Sequence, residues 1–201
     1  MKKKNIYSLF PVVYLTIYIF IFIWGAINPN YRTAWFAESI LAIIIIPILV
    51  LTYKKFRFSN TSYTLMFIFL ILQVIGSHYT YAEVPFGFWL QNMFDFSRNH
   101  YDRIVHFMFG LLLYLPTLEL YRKLTKNTSK TFFNYFITML VLMGLGAVFE
   151  VLEYLYAVFT SPTLSTAYLG TQGDEWDSYK GLTLKLISSS IIMLYFYLKK
   201  K

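Results

Sequence analysis

The chain has 201 residues, of which 57% are hydrophobic, 21% aromatic and only 14% charged, where a soluble domain carries roughly a quarter charged side chains. That balance excludes a soluble globular protein, and the absence of cysteine excludes a disulfide framework or a thiolate metal site. The net charge of +8 is distributed as a topology signal rather than as a nucleic-acid footprint.

Six apolar runs, near residues 8–27, 35–53, 62–80, 102–122, 131–157 and 178–198, approach the roughly 20 residues needed to cross a hydrocarbon core about 30 Å thick. The opening MKKKNIYSLFPVV resembles a signal peptide. Its apolar run continues, however, and WGAINPN offers no small-x-small cleavage site, so the segment is read as a helix that stays. Basic residues fall at every second boundary: Lys2, Lys3 and Lys4; Lys54, Lys55 and Arg57; Arg122, Lys123, Lys126 and Lys130; Lys199, Lys200 and Lys201. The positive-inside rule makes these boundaries and both termini cytoplasmic, and places loops 28–34, 81–101 and 158–177 outside. Thirteen of the eighteen basic residues are then inside with a single acid, Glu119, and five are outside with the other nine acids. No repeat or linker interrupts the chain. The expectation is one integral membrane domain over residues 1–201, all-α, a polytopic bundle of six transmembrane helices.

Two outer loops are long. The first, TYAEVPFGFWLQNMFDFSRNH, mixes Phe86, Phe88, Trp89, Phe94 and Phe96 with polar residues, which predicts a short interfacial helix from Gly87 to Phe96. The second, SPTLSTAYLGTQGDEWDSYKG, contains Pro162, Gly170 and Gly173, and its GDEWD stretch suits a helix N-terminus, where acids meet exposed N–H groups.

Ionisable residues gather at the outer ends of the spans. His78 and Tyr79 close the third, with Glu83 just beyond; Asp102, Arg103 and His106 open the fourth; Glu150 and Glu153 lie near the end of the fifth; Asp174 and Asp177 precede the sixth. Asp102 and His106 are four apart, Glu150 and Glu153 three apart, so each pair shares a helical face. A charge in a bilayer span costs at least about 2.5 kcal/mol at the helix centre and normally marks a bundle interior or a functional cavity. Glu38 and Lys185 are read as structural, and Tyr154, Tyr168 and Trp176 as interface anchors. His78, Asp102, His106, Asp174 and Asp177 form an N/O donor set suited to zinc or manganese. Glu150, Glu153 and Arg103 are the expected catalytic groups; Arg98, Glu83 and Tyr79 would contact substrate. The expected chemistry is metal-assisted hydrolysis or transfer on a lipid-linked or envelope substrate. An ion- or proton-coupled transporter and a non-catalytic envelope or assembly protein stand as alternatives, although no repeated half or broken helix pair supports transport. The expected partners are membrane lipids and not nucleic acid.

GSHYTYAEVPFGFW (76–89), FSRNHYDRIVHF (96–107), FEVLEY (149–154) and YLGTQGDEWD (168–177) resemble the uncharacterised bacterial inner-membrane family typified by YjdF. The resemblance implies a multi-pass protein of the bacterial cytoplasmic membrane and supplies no reaction. A looser likeness is to VanZ-like membrane proteins, in which an acid and a histidine open one helix (Asp102, His106), a glutamate nears the end of the next (Glu150) and acids precede the last (Asp174, Asp177). The chain departs from that pattern at Glu153, where a glutamine is usual.

Overall fold

The computed structural model describes residues 9–161, 165 and 168–199; Lys2, Lys3, Lys4, Pro162, Lys200 and Lys201 lie outside the described residues. Among these the helices are α1 (Phe10–Ala26), α2 (Arg32–Thr52), α3 (Asn60–Tyr79), α4 (Pro85–Phe94), α5 (Tyr101–Thr125), α6 (Phe132–Phe159) and α7 (Asp177–Lys199), with a 3-10 turn at Tyr81–Glu83 and no strand. Five helices, α2, α3, α5, α6 and α7, are long and apolar enough to cross a membrane. α1, with 17 residues, is apolar but shorter.

Local chemistry fixes the boundaries. Pro11 sits in the first turn of α1, where its missing N–H is no loss. Ser59 caps α3 by accepting the Ser62 N–H at 3.1 Å, and Thr131 caps α6 by accepting that of Asn134 at 3.4 Å. The short helix expected at Gly87–Phe96 is Pro85–Phe94 instead. Pro85 starts it, and Asp95 ends it in the left-handed region at φ 54°.

α5 is the central helix, packing on α3, α6 and α7, while α1 and α2 flank α3 on its far side. Helices in lipid gain little from apolar burial against one another, so close approach and interhelical hydrogen bonds carry the packing. Gly110 shows the first: a Cβ there would collide with Ser188, so α5 and α7 meet nearly backbone to backbone. Tyr114 shows the second, its hydroxyl donating to the Tyr135 carbonyl at 2.8 Å from α5 to α6. Tyr114, Leu118, Tyr135, Met139, Leu142 and Met193 fill the half of the bundle nearer the 126–131 loop. Phe69, Tyr81, Val84, Tyr101 and Val105 fill the α3–α5 seam at the other end. Large apolar side chains such as Phe20, Leu51, Leu145 and Val148 face outward, as lipid-facing positions should.

Candidate functional site

Between the N-terminal ends of α5 and α7 and the C-terminal end of α6 lies a cavity of about 480 Å³, walled by Asp102, His106, Glu150 and Glu153 and roofed by Thr171, Asp174 and Asp177. Its deep wall is a chain of paired charges. Asp102 Oδ1 lies 3.0 Å from His106 Nε2, one helical turn along α5. Nδ1 faces Glu150 Oε1 at 3.8 Å, beyond hydrogen-bond distance. The same Glu150 oxygen accepts from Lys185 Nζ at 2.7 Å. Lys185 is only 2% exposed and lies over the rings of Phe109 and Phe149 at 5.4 and 5.8 Å. Glu153, three residues beyond Glu150, lines the cavity and has no hydrogen bond or ion pair with any described residue.

The rim is a second charge cluster. Arg98 and Arg103 both donate to Asp177 Oδ1 at 2.6 Å and reach Asp174 Oδ2 at 3.4 and 3.1 Å. Arg103 also donates to the Asp177 carbonyl at 2.8 Å, and Arg98 to the carbonyls of Thr171 and Gly170 at 3.1 and 3.2 Å. Asn99 and Gln172 exchange two further bonds, Asn99 N–H to Gln172 Oε1 at 2.9 Å and Gln172 Nε2 to the Asn99 carbonyl at 3.0 Å. The segment 170–177 is thereby tied across the start of α5. Lys180 bonds the Asp174 carboxyl at 2.8 Å, and this hydrogen bond is the main cause holding Asp174 below the usual carboxylate range. Burial, with the repulsion of Arg98 and Arg103, lowers His100 below the ordinary imidazole value, which keeps it neutral beside them.

Several expected residues do not reach the cavity. His78 Nδ1 is 3.1 Å from the Gly25 carbonyl and its ring stacks on Trp24 at 4.5 Å. Asn30 ties the C-terminal end of α3 to the α1–α2 turn: its N–H donates to the His78 carbonyl at 2.9 Å and its Nδ2 to the Tyr79 carbonyl and Glu83 Oε2 at 2.8 and 2.9 Å. His78, Tyr79 and Glu83 therefore form a latch between α1 and α3, apart from the cavity walls. Asp174 and Asp177 face guanidinium groups. Among the described residues no group of three or more His, Asp or Glu side chains is arranged to hold a metal, so the zinc-or-manganese donor set is not supported. The physical reason is that Lys185 and the two arginines already supply the cations that the carboxylates need.

Glu38 and Lys185, read from the sequence as structural, both belong here. Glu38 is 8% exposed, and its Oε2 is buried without a hydrogen-bond partner. Its charge bears on Tyr81 and Tyr168, two buried phenols whose pKa values are raised, by burial first and by neighbouring carboxylates next. Glu153 on α6 acts on the same two phenols. A lysine well inside an apolar helix was the signal available for Lys185; nothing in the spacing around Glu38 singled it out.

The family model described as a predicted membrane protein (DUF2238) matches residues 10–201. The chain belongs to this family. It is also 30% identical over 176 residues to the inner membrane protein YjdF of Escherichia coli K12, covering 87% of this chain and 83% of that one. The family and the apolar helices make it a multi-pass protein of the bacterial inner membrane. No solved structure matches, and the looser VanZ-like likeness finds no support in these matches.

Proposed function

We propose that this member of the family is a membrane-embedded enzyme that hydrolyses or transfers a group on a lipid-linked or envelope substrate by general acid–base chemistry. In this reading α1 joins the five longer helices as a sixth span of a single integral domain. Both termini are cytoplasmic, by the placement of the basic residues, and the cavity opens to the outer leaflet. The observation that carries the proposal is Glu153: a carboxyl with no hydrogen bond or ion pair to a described residue, lining the same cavity as a histidine that lies 3.0 Å from Asp102. His106 Nδ1 takes a proton from water as the water oxygen bonds to the substrate's electrophilic atom. Glu153 gives a proton to the departing oxygen, so one water is consumed and the two fragments leave with one O–H each; a proton passes from His106 to Glu153 before the next turnover. Glu150, held by Lys185, keeps a fixed negative charge beside the imidazolium that forms. Arg103 and Arg98 act by holding segment 170–177 over the site, since their Nη donors already face Asp174 and Asp177.

A second reading, a proton- or cation-coupled carrier, is favoured by one observation: six carboxylates line the cavity, Asp102, Glu150, Glu153, Asp174, Glu175 and Asp177, while four cations, Arg98, Arg103, Lys180 and Lys185, pair with them. Against it, the buried cluster around Tyr114 and Leu142 fills the opposite half of the bundle and supports a one-sided site. The test is to reconstitute the purified protein into vesicles of total E. coli envelope lipid and follow lipid species by mass spectrometry. The expected result is a substrate that disappears with the native chain and persists, at a rate at least about a hundredfold lower, with Glu153→Gln or His106→Gln. No conversion by the native chain, or equal conversion by the variants, would overturn the enzymatic reading.

A further inference from the structure

At the end of the molecule remote from the cavity, α1 and α2 each pack on α3 and scarcely on one another. The gap between them is a groove of about 200 Å³ floored by α3 and walled by Leu15 and Tyr18, Ile46 and Leu49, and Phe67 and Leu70. The walls are almost wholly carbon, and Ile46 and Leu49 lie on either side of Pro47, which interrupts the hydrogen-bond ladder of α2 at this depth. Tyr53, Tyr63 and Tyr14 also line the groove. The Tyr14 hydroxyl is bonded to Thr64 at 2.9 Å, whereas that of Tyr53 is buried and has no hydrogen-bond partner among the described residues. Directly after Tyr53 the chain turns through Lys54 and Lys55, both exposed and neither in an ion pair with a described residue. Arg57 follows, its guanidinium 5.7 Å from the Tyr53 ring centroid. Glu119 accepts the Ser59 N–H at 2.9 Å.

We propose that this groove is a binding site for an anionic phospholipid. One acyl chain lies between α1 and α2 against α3, and the headgroup phosphate rests on Lys54 and Lys55. Shape and charge act separately here. A narrow carbon-lined gap open to the bilayer takes any acyl chain, since an empty one would forfeit contacts on both walls. The two lysines then select headgroups, because a zwitterionic lipid brings its own cation toward them while an anionic one does not. The proposal rests on the topology given above only for the leaflet, the inner one, and not on any enzymatic activity.

Native mass spectrometry of the delipidated full chain tests it, titrated with dioleoyl phosphatidylglycerol and with dioleoyl phosphatidylcholine at one ionic strength. The native chain should prefer phosphatidylglycerol by about tenfold or more, at about fivefold per lysine. Lys54→Gln with Lys55→Gln, two exposed changes that leave the fold intact, should bring the two lipids within about twofold of each other with phosphatidylcholine binding unchanged. Leu49→Trp, which fills the groove, should weaken both lipids together. Equal binding of the two lipids by the native chain, a preference that survives the lysine replacements, or undiminished binding by Leu49→Trp would each overturn the assignment.

Discussion

Replacing Lys185 by methionine tests whether the Lys185–Glu150 pair is a buried charge couple or an incidental contact. The side chains are 3% and 9% exposed and the Nζ–Oε1 distance is 2.7 Å, so water contributes little to either charge. Methionine keeps the stem that passes Gly146, where a Cβ would lie 3.1 Å from Lys185 Cδ, and removes only the cation. The loss leaves Glu150 buried without its cation, with His106 Nδ1 at 3.8 Å, beyond hydrogen-bond distance. Breaking one side of such a pair costs about 3–5 kcal/mol, and the ammonium over Phe109 and Phe149 adds about 0.5–2 kcal/mol where desolvated. Adding Glu150→Gln removes the stranded charge, so the double variant should recover most of the loss, with a coupling of about 2 kcal/mol or more. Reversible unfolding in mixed micelles, read across the full double-mutant cycle, measures this directly. A single variant within about 0.5 kcal/mol of the parent, or strictly additive losses, would refute the description of Lys185 as the internal counter-ion of the site.

Two other substitutions probe the geometry from different sides. Gly181→Ala places a Cβ 2.8 Å from His106 Nε2 and 3.0 Å from Cδ2, so the ring must move by several tenths of an ångström off Asp102; turnover in the proposed reaction should fall at least about tenfold while insertion into membranes, followed by fractionation, is unchanged. Asp174 is held below the usual carboxylate range, chiefly by Lys180. Its folded pKa is thus below the unfolded one, so its contribution to stability is present above the ordinary aspartate value of 3.8 and is lost as pH falls through the folded value. Thermal unfolding from pH 7 to pH 3 should show a shallower acid limb for Asp174→Asn than for the parent.

Much of the architecture was legible because the bilayer imposes length and polarity on each span: the five longer helices fall within a few residues of the marked runs. α1, marked near residues 8–27, is described from Phe10 to Ala26, before the turn that holds Asn30, and with 17 residues it is shorter than the other spans. Periodicity placed Asp102 with His106 and Glu150 with Glu153, and those four meet. Depth alone misplaced His78, Tyr79 and Glu83, because residues at one level of a bundle can sit on different sides of it, and α3 turns them toward α1. The metal expectation failed for a related reason. A count of donors carries no information on where cations of the chain itself will fall, and Lys185, two turns below the start of α7, takes the place a metal would need.

The rim salt bridges have a structural consequence that reaches the cavity floor. Buried ion pairs contribute uncertain net stability, and their best-attested role is to fix register. Here Arg103 on α5 meets Asp177 at the head of α7; one turn down His106 fits against Gly181, and a further turn down Gly110 fits against Lys185 and Ser188. The steps 103, 106, 110 and 177, 181, 185, 188 follow the three- and four-residue spacing of facing helices. Only one alignment satisfies all of these contacts at once. A slip of a single turn, about 5.4 Å, would drive a larger side chain onto His106 where Gly181 now lies, and would carry Lys185 away from Glu150. Arg98 and Arg103 therefore act on the cavity from its rim: by holding Asp177 they set the height at which Lys185 reaches Glu150 and His106 stays beside Asp102.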